Sequence, residues 1–299
     1  VLRDKPKSGS SAGLPLAPVI AVGLGWFVLA LMFFLLFGTP SVPEVDPATE
    51  QLILTPETGK ATLGFPLWYT VGTYIFELAA LFAASLLCFR NYQSPQVVSG
   101  RSVWLCFALG LLLYFLGDLV FGYYEVVLRS EQSVSIADFF YFGTYALLGV
   151  GMILAIASRR LTLDLWQWVL VAVVGLLGAL FALWVNHAAA MANPSAPLLD
   201  RLVTAAYPLF DTALLIITTI LLLAFWGGRF AQAWRLIAGG VLALYVADSY
   251  YQYASNAFKD YQSGSLTEVF FVLFPVLFAI GAAVEYELSN KSRRGIRRR

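Results

Sequence analysis

Charge is scarce in this sequence: Asp, Glu, Lys and Arg make up 12% of its 299 residues, about half the share of an ordinary soluble domain. With 60% hydrophobic residues, that scarcity excludes a water-facing surface built in the usual way. Only two cysteines, Cys88 and Cys106, are present, which excludes a disulfide-stapled secreted scaffold and a zinc site. A single histidine, His187, excludes two-histidine haem ligation within the chain. A net charge of +1 argues against nucleic-acid binding. HExxH, GxSxG, P-loop and dinucleotide fingerprints are all missing, so no catalytic residue and no metal ligand is assigned. The sequence points to no particular cofactor.

What is abundant is apolar run length. Stretches of about 20 residues recur, each long enough to cross a bilayer, and they predict an all-α integral membrane protein with eight spans. These fall at residues 16–38, 66–89, 102–124, 137–157, 164–187, 199–225, 233–255 and 267–286. The N-terminus, the loops near 95, 160 and 230 and the tail hold 15 Lys/Arg, whereas the opposite side holds four: Lys60, Arg129, Arg201 and Lys259. The positive-inside rule therefore places both termini in the cytoplasm. Ten acids lie on the outer side (Glu44, Asp46, Glu50, Glu57, Glu125, Glu131, Asp138, Asp200, Asp260 and Glu268) against four inside. Trp104, Trp166, Trp168, Trp226 and Trp234 mark inner helix ends, and Trp68 and Trp184 the outer face. The first run follows Arg3, Lys5 and Lys7 but is too long for a signal peptide and lacks a cleavage site, so it reads as an anchor helix. The outer loop 39–65, rich in Pro, Thr and acids, reads as a flap or docking surface.

Sliding the chain by 130 residues aligns 104–151 with 234–281 without a gap, giving 12 identities in 48 positions. Several matches are polar or special: Trp104/Trp234, Gly110/Gly240, Asp118/Asp248, Tyr123/Tyr253, Gln132/Gln262, Ser133/Ser263, Ser135/Ser265 and Gly151/Gly281. A shift of four more aligns Phe76-Glu77 with Phe210-Asp211. The expectation is two parallel four-helix repeats, 16–157 and 158–286, flanked by a cytoplasmic segment 1–15 and a basic tail 287–299. A pseudo-two-fold axis along the membrane normal would relate them, with a cavity at their interface.

Four carboxyl groups fall inside the spans without a Lys or Arg beside them: Glu77, Asp118, Asp211 and Asp248. Glu77 and Asp211 lie about 15–18 Å deep at 1.5 Å per residue. An ionised carboxylate facing hydrocarbon is costly, so these groups should point inward onto hydrogen-bond donors, water or a cation. Either they are functional or they are hydrogen-bonded glue between helices. Tyr114, Tyr123, Tyr124, Tyr207, Tyr245, Tyr250, Tyr251 and Tyr253 fall in the outer half and are the expected partners. Glu77, Asp118, Tyr123, Tyr124, Tyr207, Asp211, Asp248 and Tyr251 are the candidate ligand-binding residues of an outward-facing acidic and aromatic cavity. Carboxylate pairing and cation–π contact suit such a cavity to a cationic or amphipathic molecule. Ser135-Ile136-Ala137-Asp138 and Ser265-Leu266-Thr267-Glu268 read instead as capping boxes. Pro208 and Pro275 should bend their helices. His187 reads as an interfacial hydrogen-bonding residue, with pigment or haem ligation as the minor reading. The cysteines read as free thiols on a reducing side.

The elements Gly117-Asp118, Tyr123-Tyr124-Glu125, Ser135-x-Ala137-Asp138-x-x-Tyr141, Tyr207-Pro208-x-x-Asp211 and Ala247-Asp248-x-x-Tyr251 together resemble a known module. It is the N-terminal multi-helix membrane sensor region of bacterial GGDEF/EAL diguanylate cyclases and phosphodiesterases and of some histidine kinases. The resemblance covers about residues 70 to 286 and implies a bacterial inner, or photosynthetic, membrane. In that family an output domain follows the last helix, whereas this chain stops at Arg299; taken as complete, it is a sensor-like body without an output domain of its own. The expected function is non-enzymatic binding of a small molecule or lipid, relayed to a protein partner in the membrane or at its cytoplasmic face. An accessory subunit of a larger respiratory or photosynthetic complex is the alternative, and a cation- or proton-coupled transporter ranks below both.

Overall fold

The computed structural model describes residues 16–45, 49, 51–54, 59, 61–129, 134–158, 163–192, 194–227, 231–258 and 261–297, the side chains of 192 and 292–297 excepted. Eight long helices account for most of it: α1 Leu16–Phe37, α2 Leu67–Gln93, α3 Arg101–Gly122, α4 Ile136–Ala157, α5 Leu165–Ala192, α6 Leu198–Ala224, α7 Ala231–Ala257 and α8 Val269–Arg297. Seven are long and apolar enough to cross a membrane, and α7 falls outside that class. Its physical setting accounts for the difference. Packed against α5, α6 and α8, α7 has protein neighbours for polar side chains such as Asp248, Ser249 and Tyr251. By contrast, α5 exposes Leu165, Trp166, Val169, Leu176, Leu180 and Leu183, an apolar face suited to lipid.

Helix boundaries follow local chemistry. Gly38 and Pro40 stop α1, and Ser94-Pro95 stops α2. α3 runs into a π-helical turn, Tyr123–Leu128, closed by Arg129 in the left-handed region at φ 49°. α5 extends beyond its expected end through Ala188–Ala192, where no Gly or Pro interrupts it, and α8 runs on past 286 with Gly295 inside its last turns. At the start of α4 the Ser135 side chain accepts from Ala137 N at 3.2 Å, while Asp138 accepts from Ser135 N at 2.6 Å. A second capping box, Ser265 with Glu268, opens a single 3-10 turn, Leu266–Glu268, before α8. Replacing Ser135 by Ala should lower stability by about 1 kcal/mol, the usual worth of an N-cap. The unfolding midpoint of the purified protein in nanodiscs would show it.

Six helices close into a ring in the order α2, α3, α4, α6, α7, α8 and back to α2. Its centre is aromatic: Trp104, Phe107, Trp234, Phe274 and Phe278 are fully or almost fully buried there. Glycines set the helix approach. A Cβ on Gly110 would meet Leu148 at 3.3 Å, one on Gly240 would meet Phe278 at 2.7 Å, and one on Gly151 would meet Phe107 at 2.6 Å. α1 lies outside the ring on α8 and α2, with Trp26 Nε1 donating to the Phe76 carbonyl at 2.9 Å. α5 lies outside it on α6 and α7.

The described part of segment 39–65 is a ribbon rather than a free flap. Val42–Pro43 pairs antiparallel with Leu63–Gly64, continued by the bridges Val45–Leu52 and Leu54–Ala61. Gln262 ties it to the α7–α8 connection through Phe65 N and Glu44. This is called the ribbon end of the bundle, and the end carrying the α2–α3 loop and the tail is called the tail end. Several charges used for the topology expectation (Arg3, Lys5, Lys7, Asp46, Glu50, Glu57, Lys60, Glu131, Lys259, Asp260 and the last tail arginines) lie outside the described residues, as do Gln132 and Ser133 of the internal match.

Candidate functional site

The carboxyl groups of Glu77 on α2, Asp118 on α3, Asp211 on α6 and Asp248 on α7 gather in the ribbon-end half of the ring. Asp118 and Asp211 are 5% and 2% exposed, which puts both inside the helix bundle and away from lipid. They sit in two pairs, each joining neighbouring helices: Glu77 lies beside Asp118, and Asp211 beside Asp248. Neither partner of such a pair can donate as a carboxylate, which has only acceptors, so donors must come from elsewhere.

Helix α4 supplies the donors. Asp138, Tyr141 and Tyr145 stand three and four residues apart, which puts them on one face. Tyr141 donates to Asp118 Oδ1 at 2.9 Å. Tyr145 contacts Asp211 Oδ1 at 2.8 Å and Asp248 Oδ2 at 2.5 Å, so one hydroxyl joins α4, α6 and α7. A phenol carries a single proton. The second contact is therefore a hydrogen bond only when one of the two carboxyl groups brings a proton of its own.

Tyrosine also meets the acids nearer the ribbon end. Tyr207 donates to Asp138 Oδ1 at 2.6 Å, so the residue that caps α4 also fastens α6 to it. Tyr74 donates to Glu125 on the π-helical turn. Tyr261 donates to Glu268 Oε1 at 2.5 Å, and Gly264 N donates to Oε2 at 2.7 Å. Burial, then the neighbouring Glu268 charge, push the Tyr261 phenol well above its usual range, so it stays a neutral donor.

Of the eight sequence-predicted residues, the structure brings together Glu77, Asp118, Asp211 and Asp248. Tyr207 approaches them but bonds Asp138. Tyr251 makes an edge-on ring contact with Tyr261. Tyr123 is 52% exposed and packs edge-on against Tyr124; neither is among the tyrosines bonded to the four acids. Tyr145 was missed altogether, and Tyr141 entered only through the family resemblance. Their spacing from Asp138 on α4 was the available signal.

The expected acidic and aromatic cavity is divided in two. Tyr141 and Tyr145 face Asp118, Asp211 and Asp248, because a buried carboxyl left without a donor is costly. A separate groove of about 340 Å³ lies between α5 and α7, lined by Phe181, Trp184, Tyr245, Ser249, Tyr250 and Tyr253 among others, and contains no acid. Trp184 and Tyr253 stack there with ring centroids 5.0 Å apart. His187 lies exposed on α5. Cys88 and Cys106 are free thiols. Among the described residues, no group of three or more His, Cys, Asp or Glu could hold a metal ion. No family model, no curated protein and no solved structure matches the chain.

Proposed function

We propose that the chain is a non-enzymatic, sensor-like membrane module that binds a cationic or amphipathic small molecule at the acid–tyrosine layer and relays its presence to a protein partner. The observation that carries this reading is the Tyr145 junction: one hydroxyl holds two acids from two other helices. A bound cation would exchange those contacts for its own. Such exchange shifts the helices only if the ligand binds one arrangement better than the other.

Eight crossings, two parallel repeats and a bacterial membrane with both termini cytoplasmic complete the proposal. Repeat-equivalent contacts support the duplication. Gly110 meets Leu148 and Gly240 meets Phe278; Gly151 meets Phe107 and Gly281 meets Ile237, each pair separated from its counterpart by the shift of 130 residues. The two capping boxes and Asp118 with Asp248 obey the same correspondence, Glu77 with Asp211 follows it after a shift of four more residues, and Trp104 faces Trp234 with ring centroids 6.2 Å apart. α1 and α5 depart from it, since α1 leans on α8 of the other half while α5 stays with α6 and α7. At 27 residues, α7 is about 40 Å long at 1.5 Å per residue, enough to span.

Thermal unfolding in nanodiscs against a series of alkylammonium and quaternary ammonium ions tests the site. At a hundred times its Kd a ligand of the folded state adds about 2.7 kcal/mol, and that gain should vanish in the Asp118→Asn, Asp248→Asn double variant. Equal stabilisation of parent and variant would refute the assignment.

A further inference from the structure

The tail end holds a second polar cluster that the acid–tyrosine layer does not use. Glu285, in the tail-end part of α8, is fully buried. Ser99, in the α2–α3 loop, donates to Glu285 Oε1 twice, from its hydroxyl at 2.8 Å and from its backbone N at 3.3 Å. The Ser99 hydroxyl in turn accepts from Trp104 Nε1 at 2.9 Å. One turn further along α8, Ser289 Oγ accepts from Val98 N at 3.4 Å. One turn before Glu285, the Ala282 carbonyl accepts from Asn91 Nδ2 at 2.8 Å. Each of these bonds to α8 joins residues 186 to 191 positions apart.

We infer that the α2–α3 loop and the tail-end part of α8 form a latch, with Glu285 as the group that closes it. A carboxyl buried in protein is tolerated only while donors face it, and Ser99, in a short loop, supplies two of them to Glu285. The contacts from the loop to α8 are side-chain bonds rather than a sheet or a helix, so the loop can leave as a unit once they exchange. Gly100, at φ 94°, supplies a turn that other residues rarely adopt, letting Ser99 face α8 just before α3 begins. The latch also clasps the central aromatics, because Trp104 is held by the same serine and packs on Trp234 and Phe107. Sequence repetition does not extend to it: the repeat counterpart of Glu285 is Ala155. The latch is therefore an addition to one half, placed where α8 leaves the ring and continues as one helix to Arg297. It is the means by which movement in the ring frees or holds that exit, and it deepens the sensor reading by giving that module an output.

Cys88 is a built-in reporter. It is fully buried against the same core as Val103 and Trp104. In a Cys106→Ala background it is the only thiol. Its reaction with N-ethylmaleimide should be slow in the full-length protein in nanodiscs. Glu285→Ala should speed it on the order of tenfold or more, since access to a buried thiol follows the population of the opened state. Glu285→Gln, which retains an acceptor for Ser99, should stay close to the parent rate. Ser99→Ala, a milder loss, should fall between, and it serves if Glu285→Ala does not give monodisperse protein. Parent-like labelling in the folded alanine variants overturns the latch. Tyr145→Phe in the same assay separates the two readings: if Glu285→Ala opens the latch and Tyr145→Phe leaves labelling unchanged, the latch stands and its link to the acid–tyrosine layer fails.

Discussion

Removing one oxygen atom, in Tyr145→Phe, is expected to destabilise the protein by about 1–3 kcal/mol, the cost of leaving buried polar groups without a donor. The number is large for a membrane protein. Single interhelical hydrogen bonds there average only about 0.6 kcal/mol, because the reference state in the bilayer also finds partners. Tyr145 escapes that average because its hydroxyl meets two carboxyl groups at once, Asp211 and Asp248, from two helices. After the substitution those acids lose their link to α4. The midpoint of unfolding in nanodiscs should fall clearly more than for Tyr123→Phe, whose side chain is half exposed. Equal effects of the two substitutions would mean that the junction contributes nothing beyond ordinary packing.

A larger loss is expected from Trp234→Ala, about 3–5 kcal/mol, the range for truncating a buried large aromatic. Trp234 is 1% exposed. It stacks on Phe225 at 4.7 Å and meets Trp104 at 6.2 Å and Phe107 at 6.3 Å. Helices on both sides of the ring would line the cavity left behind, so no single side chain can relax to fill it. Trp234→Phe should retain most of the stability. Steric trapping or chemical unfolding in bicelles would measure both. A loss below about 1 kcal/mol for the alanine variant would be too small for a cavity of that size, and the central aromatic cluster would then not be a packed core.

Much of the architecture was legible because a bilayer imposes simple demands. Spans predicted at 102–124 and 137–157 appear as Arg101–Gly122 and Ile136–Ala157, since length and apolarity are what a crossing needs. Both Ser-x-x-acid boxes were legible because capping chemistry is local. The four intramembrane acids were legible because any charge in an apolar run stands out. Their partners were not. The sequence offers tyrosines throughout this half of the bundle, and helix packing chose among them, taking Tyr141 and Tyr145 and leaving Tyr123 at the surface.

Glu285 shows the same division. In the sequence it is one acid near a helix end, next to Tyr286 and Glu287, with nothing to mark it. The ring sets the α2–α3 loop against α8 and makes Glu285 a fully buried carboxyl. The sequence by itself determined the solvent, the helices and which residues are too polar for lipid, because each of these depends on composition within about 20 consecutive residues. Only the tertiary structure decided which acid meets which hydroxyl and which carboxyl is locked away. Those choices depend on side chains up to almost two hundred positions apart reaching the same few ångströms, and no local pattern encodes that approach.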